Sequence, residues 1–365
     1  KHLQKYAYLS TKEEPSEEEL KKAVRLYQSV AGVPATGEID ADTVAATRAK
    51  RCARPDAARE DSDDLGIRVK RFALPHASRW NPRHFFGRHK LKLKWFISKY
   101  TTDMPKAVVR STVKKGFEIW AKQIHIKMLT EGQQVFLDFD EADSEDDADI
   151  NIRWESGNHG DAHPFDGEGN DNENILAHTF YPDYKPFPLN GDIHFDEAEK
   201  WTNTVGDKDT FFPYVLVHEI GHALGLQHSH SALAVMNPHY KNIAVDKIEM
   251  HHDDKCGVNW NIVGPSNLCL LVWMASEILP VNTLSPTVST HSKRQTREDK
   301  LWSVRKQLFH TSLPTCSDTT GVRTEIVNNL QKQLHFSEAD AILYGEVGCR
   351  FLKGLDEYRN KVGFI

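Results

Sequence analysis

The sequence predicts an α+β protein in which a small helical domain precedes a larger mixed domain, with a short, poorly defined C-terminal region at the end. Three observations support this prediction. The chain has 365 residues, more than one compact core usually holds. Its first part shows helical spacing and capping residues, whereas strand-like alternation follows Phe72. The predicted boundaries are 1–71, 72–255, 256–298 (a cysteine-containing segment with a linker) and 299–365.

The composition favours a soluble globular protein and excludes several classes. Apolar residues make up 39% of the chain and charged residues 27%. The net charge of −6 argues against nucleic acid as a partner. The longest apolar run, residues 268–275, is far shorter than the ~20 residues of a membrane span, so no transmembrane segment is expected. The chain starts at Lys1 without a secretion signal, and we expect that such a signal has been removed.

The first domain is predicted to contain two helices. Ser16 and Glu19 have the spacing of a capping box at the start of the first helix. Apolar residues then recur at helical spacing until Gly32, namely Leu20, Ala23, Val24, Tyr27 and Val30. Asp40 can cap a second helix, which is predicted to reach about Lys50.

The second domain mixes strands and helices. The stretch LKLKWFI alternates between apolar and polar residues, as a half-buried strand does. Residues 107–124 have the period of an amphipathic helix, and FLDFD and ADINIRW indicate further strands. A Ser/Thr/Pro-rich and basic stretch at 283–298 indicates a linker.

The strongest functional motif is HEIGHALGLQH at residues 218–228. His218 and His222 are four residues apart and therefore lie on one helical face. Gly225 permits a sharp turn that can bring in His228 as a third ligand. Three nitrogen ligands leave one open position on a tetrahedral zinc ion, which is typical of a catalytic site.

Glu219, next to the first histidine, is the predicted general base and acid. Zinc lowers the pKa of a bound water to about 7, and a neighbouring carboxylate can accept its proton before attack on a peptide carbonyl. The same carboxylate can pass the proton to the leaving amine. The alternative is an ordinary helix with surface histidines, but the eleven-residue pattern is more specific than HExxH alone.

Two stretches together resemble the metzincin metalloproteases: HEIGHALGLQHS and AVMNPHY at 234–240. Ser229, which follows the third histidine, makes the first stretch resemble the matrix metalloproteinase branch. The resemblance implies a catalytic domain with a twisted mixed β-sheet and three helices. It implies that Met236 forms the methionine turn beneath the metal. It also implies that Pro238 and Tyr240 form the wall of the substrate pocket.

The stretches HGDAHPFDGEG, ILAHTF and NGDIHFDEAEKW resemble the structural-metal region of the same family. The resemblance implies a structural zinc, whose four ligands would fill a tetrahedron, and calcium, which prefers carboxylate and carbonyl oxygens. A polar surface loop is the alternative. The implied zinc ligands are His159, Asp161, His178 and His194, and the implied calcium ligands are Asp166, Gly167, Gly169, Asp196 and Glu199 in one site and Asp149 and Asp192 in another.

Cys52 is the candidate for an inhibitory zinc ligand, because a thiolate binds an open zinc position well. RCARPD resembles the cysteine switch at the end of a matrix metalloproteinase propeptide. The resemblance implies that Cys52 keeps the enzyme latent and that Arg51 and Asp56 pair to hold the loop. The sequence departs from the family pattern at three positions, with Lys50 for Pro, Ala53 for Gly and Arg54 for Val.

RVKR at 68–71 has the form that furin-like convertases cut. Cleavage between Arg71 and Phe72 would release the first domain together with Cys52. In the family, the new ammonium group pairs with an acidic residue of the last catalytic-domain helix. This helix departs from the family pattern here, and the sequence does not decide whether Asp246, Asp253 or neither serves.

The C-terminal hundred residues resemble the family least. The four cysteines Cys256, Cys269, Cys316 and Cys349 allow three disulfide pairings, of which nearest-neighbour pairing is our prediction. Residues 341–361 resemble one hemopexin blade, although a single blade cannot bury its own face. An unrelated helix and strand is the alternative.

Together these features predict a secreted zinc endopeptidase of the extracellular matrix, made as a latent zymogen. The expected partners are extracellular protein substrates, a furin-like convertase and inhibitors of the tissue-inhibitor type. Two alternatives remain open: a non-catalytic secreted zinc-binding or adhesion protein, and another metzincin branch.

Overall fold

The structure is a computed structural model that describes most of the first 262 residues: 1–9, 14–56, 80, 85–86, 90–124, 136–170, 173–182, 189–206, 209–243, 248 and 250–262. Beyond them it describes residues 269, 272, 321–334, 336–339, 341–342, 344–346 and 348–349. The chain divides into two compact units, residues 1–264 and 265–365. The first unit therefore contains both the helical region and the mixed sheet.

The helical region consists of α1 (His2–Lys5), α2 (Glu17–Val30) and α3 (Ala41–Thr47). The predicted capping box is confirmed: Glu19 N donates to Ser16 Oγ, and Ser16 N donates to the Glu19 carboxylate at 2.8 Å. Asp40 caps α3 by accepting a hydrogen bond from Thr43 N at 2.9 Å. One prediction was wrong, because α3 stops at Thr47 and residues 50–52 form a strand. The backbone of that strand bonds to the edge of the sheet, an interaction that the local sequence does not reveal.

Ala7 has a left-handed backbone conformation, with φ at 64°, between the buried side chains of Tyr6 and Tyr8. That conformation costs a residue with a Cβ roughly 1–2 kcal/mol, whereas it costs glycine almost nothing. We therefore expect Ala7→Gly to raise the free energy of unfolding by about 1 kcal/mol, after the larger entropy of glycine in the unfolded chain is subtracted. Urea titration measures the change.

Ala45→Gly is the matched control, since Ala45 is exposed within α3. It should lower the free energy of unfolding by about 1 kcal/mol. If both glycine variants are destabilised alike, the strain assigned to Ala7 is wrong.

The strands of the sheet are β1 (Lys50–Cys52), β2 (Phe85–Phe86), β3 (Lys90–Lys99), β4 (Phe136–Glu141), β5 (Ile150–Glu155), β6 (Asn174–Thr179) and β7 (Ile193–Asp196). Their order is β1-β6-β7-β5-β3-β2, with β4 also paired to β3. Most pairs are parallel, but β6 runs antiparallel to β7 and β2 antiparallel to β3. The predicted alternation of β3 is confirmed, because Leu91, Leu93, Trp95 and Ile97 are all buried.

Three helices accompany this sheet in the described part of the unit: α4 (Lys106–Ala121), α5 (Phe212–Ala223) and α6 (His252–Ile262). A small parallel pair, β8 (Trp201–Thr202) and β9 (Thr210–Phe211), precedes α5. Trp120 on α4 donates its indole hydrogen to Val217 O on α5 at 2.7 Å. All twelve residues of α5 are buried, so its polar side chains lie inside the protein.

The second unit contains α7 (Val322–Leu334). The described residues among 341–349 are also helical, while 350–361 and the predicted linker at 283–298 lie outside the described residues. Cys256, Cys269 and Cys349 are disulfide-bonded, and their pairing stays a prediction. Among the helices of the described residues, none is long and apolar enough to cross a membrane.

Candidate metal centre and active site

Three histidine rings meet at the end of α5. His218 and His222 lie one turn apart on the helix, and the chain reverses at Gly225, whose φ of 89° matches the predicted sharp turn. This turn brings His228 back towards the helix, and the three ring centroids lie 4.8–5.2 Å from one another. The helical spacing and the glycine together account for the convergence.

Hydrogen bonds orient all three rings with the same ring nitrogen facing inward. The Nδ1 atoms of His218 and His222 donate to backbone carbonyl oxygens at 2.7 Å, and His228 Nδ1 donates to the Asp56 carboxylate at 2.9 Å. Each Nε2 atom therefore keeps its lone pair. Burial lowers the pKa of His218 to about 4 and holds the pKa values of His222 and His228 well below their ordinary value, so the rings are neutral. Neutral imidazoles oriented by such bonds fit a zinc ion.

Cys52 supplies a fourth donor to this group. Its sulfur lies 3.5 Å from His222 Nε2, and the four donor atoms lie within 4.8 Å of one another. The thiol is free and buried, and burial raises its pKa. A thiolate there needs a neighbouring cation, which a metal ion would supply.

The backbone around Cys52 lies between two parts of the larger domain. On one side, β1 pairs in parallel with β6, and Ala53 N donates to Ala177 O at 3.0 Å. On the other side, Cys52 N donates to Pro238 O at 3.0 Å, and Tyr240 N donates to Lys50 O at 2.8 Å. The switch segment, defined here as residues 50–56, therefore occupies the channel between β6 and residues 238–240.

Asp56 connects this segment to the histidine group. Its carboxylate accepts from Arg51 at 2.5 Å, from His228 Nδ1 at 2.9 Å and from the Tyr8 hydroxyl at 2.7 Å. The side chains of Arg51 and Asp56 are both fully buried. The Tyr6 ring covers the Arg51 guanidinium, with Cζ 3.3 Å from the ring centroid. The ion pair expected within the loop thus also reaches a candidate metal ligand.

Two of the departures from the family pattern make contacts of their own. The Lys50 ammonium lies 2.8 Å from the Glu199 carboxylate and also contacts Thr210 Oγ1. The Arg54 guanidinium lies 4.2 Å from the centroid of the Tyr181 ring. Both cations therefore add contacts between the switch segment and the larger domain.

Glu219 points into the same site and is fully buried. Thr179 Oγ1 donates to Glu219 Oε2 at 2.7 Å, while Oε1 has no hydrogen bond from the described residues. Burial raises the pKa of Glu219 to about 7, against the opposing effects of the Thr179 hydroxyl, the Cys52 thiol and the Arg54 charge. A carboxylate with a pKa near neutrality can both accept and return a proton.

Met236 packs beneath the histidines, where a Cβ on Gly221 would collide with its sulfur. The Asp254 carboxylate holds this turn by accepting from Val235 N at 2.9 Å and from Met236 N at 3.0 Å. On the same helix, Asp253 accepts from Ser229 Oγ at 2.8 Å. Helix α6 therefore fixes the turn below the site.

Sequence reasoning missed Tyr214, which lines a cavity with Pro238, Tyr240, His218 and Glu219. Tyr214 precedes His218 by one helical turn, and that spacing could have revealed it. Nothing in the local sequence indicated the contact between Thr179 and Glu219.

The second predicted metal group also comes together. The ring nitrogens of His159, His178 and His194 lie 2.8–2.9 Å from Asp161 Oδ2. His159 Nδ1 donates to Gly157 O at 2.9 Å, so the lone pair of its Nε2 faces a carboxylate oxygen. Two facing acceptors need a cation between them, and three imidazoles with one carboxylate fit zinc.

The predicted calcium residues form a looser arrangement, and none of them belongs to the close donor groups of the described residues. Asp196 accepts from Gly167 N at 3.1 Å, and Asp166 accepts from Ile175 N. Burial raises the pKa of Asp192 to about 7. Among the other calcium candidates, Gly169 has a positive φ, Asp149 accepts a hydrogen bond from Lys94 N, and Glu199 pairs with Lys50.

Three residues predicted for activation lie outside the described residues: Arg71, Phe72 and Asp246.

Comparisons with known proteins match residues 84–261 to the family described as Matrixin and residues 1–46 to a peptidoglycan binding domain family. Matrix metalloproteinase-B of Caenorhabditis elegans is 40% identical over 98% of this chain, which spans 75% of that protein. Human matrix metalloproteinase-16 is 33% identical over 72% of the chain, and rat macrophage metalloelastase is 31% identical over 67%. The matched regions cover only 40% and 44% of those two proteins. The predicted family resemblance and the α+β fold class are confirmed.

Proposed function

Because this chain belongs to the matrixin family of zinc metalloendopeptidases, we propose that it is a latent precursor that cleaves extracellular proteins once its first domain is removed. Secretion into the extracellular matrix and control by inhibitors of the tissue-inhibitor type are parts of this proposal. The observation that carries it is the inward convergence of three neutral imidazoles beside the buried carboxylate of Glu219.

We propose His218, His222 and His228 as the ligands of the catalytic zinc. When bound, zinc supplies a Lewis acid that polarises a peptide carbonyl and activates water. Glu219, whose buried carboxylate lies next to the first of these histidines, would receive a proton from that water and later return it to the leaving amine. Asp161 and three further histidines would hold a second zinc that stabilises the fold.

A substrate is proposed to add as a strand in the channel that the switch segment now fills. The backbone groups of Ala177, Pro238 and Tyr240 that bond to the switch segment would then be available to it. Once the switch segment leaves, an apolar side chain would enter the space beside Tyr240 and Tyr214, which Arg51 and Cys52 also line in the uncut protein. The substrate preference is therefore expected to favour a side chain that packs well against aromatic rings.

Latency is proposed to result from the contacts of the switch segment. Cys52 occupies the fourth donor position, and its segment covers the backbone groups that a substrate needs. Cleavage between Arg71 and Phe72 by a furin-like convertase would release the first domain, and with it Cys52 and the rest of the switch segment. The new ammonium group of Phe72 would then pair with an acidic residue such as Asp253, which is fully buried.

The calcium sites are the third part of the metal proposal. Burial raises the pKa of Asp192 to about 7, despite the Arg153 guanidinium 3.5 Å away, and raises that of Asp196 to about 6. A calcium ion near either carboxylate would stabilise its ionised form. Calcium should therefore raise the thermal unfolding midpoint of the protein.

The decisive experiment compares uncut and convertase-treated protein on a quenched fluorogenic peptide. We expect no cleavage before treatment and cleavage afterwards. A zinc chelator should abolish the activity, and added zinc should restore it. A treated protein that binds zinc at full occupancy yet cleaves no peptide in a proteome-wide substrate library would contradict the proposal and favour a non-catalytic zinc-binding protein.

A third hypothesis is that the protein belongs to another metzincin branch, and the role of Cys52 tests it. Modification of its thiol in the uncut protein should raise activity if Cys52 maintains latency. Unchanged activity after complete modification would favour the other branch.

A further inference from the structure

We propose that Thr179 is a positioning residue that fixes the carboxylate of Glu219 for proton transfer, an inference that rests on the proposed function. Thr179 is the last residue of β6 and is fully buried. Its hydroxyl donates to Glu219 Oε2 at 2.7 Å across a separation of 40 residues. A hydroxyl can donate only one hydrogen bond, and Thr179 donates it to the carboxylate proposed to be catalytic.

The carboxylate needs such a partner because its last torsion is soft. The χ3 angle of glutamate has a broad, roughly two-fold distribution, so the backbone of α5 does not by itself orient the two oxygens. The other oxygen, Oε1, has no hydrogen bond from the described residues. The Thr179 bond therefore selects one rotation and presents Oε1 to the site.

Thr179 is itself held rigidly. It pairs with Ile193 in the antiparallel β6–β7 ladder, and its β-branched side chain has a restricted χ1. A donor on a strand is placed more reproducibly than one on a loop. The position of the Glu219 carboxylate thus depends on the sheet as well as on its own helix.

The strand also links the two metal groups. Neighbouring residues on a strand point to opposite faces. His178 turns towards Asp161 in the second group, whereas Thr179 turns towards Glu219 in the first. If a metal ion holds His178 in the second group, it would also hold the adjacent Thr179 and, through its hydrogen bond, the Glu219 carboxylate.

The test compares three variants after convertase treatment. Thr179→Val keeps the shape but removes the hydroxyl, Thr179→Ser keeps the hydroxyl, and Thr112→Val is the control. Thr112 is a buried threonine on α4 whose hydroxyl donates to Asn203. The readouts are kcat and KM on the quenched peptide, zinc content per chain, and crystal structures of the two Thr179 variants.

We expect Thr179→Val to lower kcat by about 10- to 100-fold, the usual effect of misplacing a catalytic group, with KM and zinc content unchanged. Thr179→Ser should recover most of the lost kcat, and Thr112→Val should match the wild type. The crystal structures should show the Glu219 carboxylate rotated or divided between two rotations in the valine variant alone.

A valine variant with wild-type kcat and full zinc content would overturn the inference. Loss of activity in step with loss of zinc would also overturn it, since the role would then be structural. If the wild type itself cleaves nothing, the proposed function fails, and the crystal structures still decide whether Thr179 orients the carboxylate.

Discussion

Changing Glu219 to glutamine is expected to lower kcat for peptide cleavage by about 10²- to 10⁴-fold, the usual contribution of a general acid–base group. Glutamine has nearly the same shape as glutamate, and its carbonyl oxygen can still accept the hydrogen bond from Thr179. It cannot take up and return a proton at neutral pH. Zinc content should therefore be unchanged, since the three ring nitrogens of the metal group do not depend on Glu219.

Glu118→Gln is the matched control, because Glu118 is exposed on α4. Its kcat and KM should equal those of the wild type. Steady-state kinetics on convertase-treated protein, with zinc measured on the same samples, make the comparison. A Glu219→Gln enzyme that keeps more than about a tenth of wild-type kcat would exclude proton transfer through this residue.

Changing Asp56 to asparagine is expected to make the uncut protein active. Asp56 accepts hydrogen bonds from Arg51, His228 and Tyr8, and the variant would leave the buried Arg51 guanidinium without its counterion. Removing one partner of a buried ion pair costs about 3–5 kcal/mol. The equilibrium between closed and open switch segment should then shift by roughly 10²-fold or more, since each 1.4 kcal/mol is tenfold.

Two measurements on the uncut variant check this expectation: cleavage of the quenched peptide and the rate at which Cys52 reacts with a thiol reagent. Both should rise together, because opening the segment exposes the metal group and the sulfur at once. Asp42→Asn, at an exposed position in the first turn of α3, serves as the control and should remain latent. Continued latency of Asp56→Asn, with an unreactive thiol, would show that the Asp56 contacts do not hold the segment closed.

The metal group at α5 could be predicted closely because its geometry is local. Four residues separate His218 from His222, and a helix turns that spacing into one face. Gly225 has the positive φ that the sharp turn to His228 requires. The convergence of the three side chains therefore followed from these few residues alone.

In the helical region, the helix caps could be predicted from neighbouring residues, but the strand that follows could not. The caps at Ser16 and Asp40 were predictable because a cap depends on neighbours three residues away. The strand at residues 50–52 was not, because its hydrogen-bond partners lie on β6 and at residues 238–240. Distant backbone groups decided the conformation of Lys50.

By itself the sequence predicted the chemistry proposed for this protein: which side chains would bind zinc, which carboxylate would carry a proton and which sulfur would block the site. Only the tertiary structure decided how these groups are oriented. The Asp56–His228 bond joins residues 172 positions apart, and the Thr179–Glu219 bond joins residues 40 apart. Contacts of this kind depend on how strands and helices pack against one another, and no spacing along the chain encodes that packing.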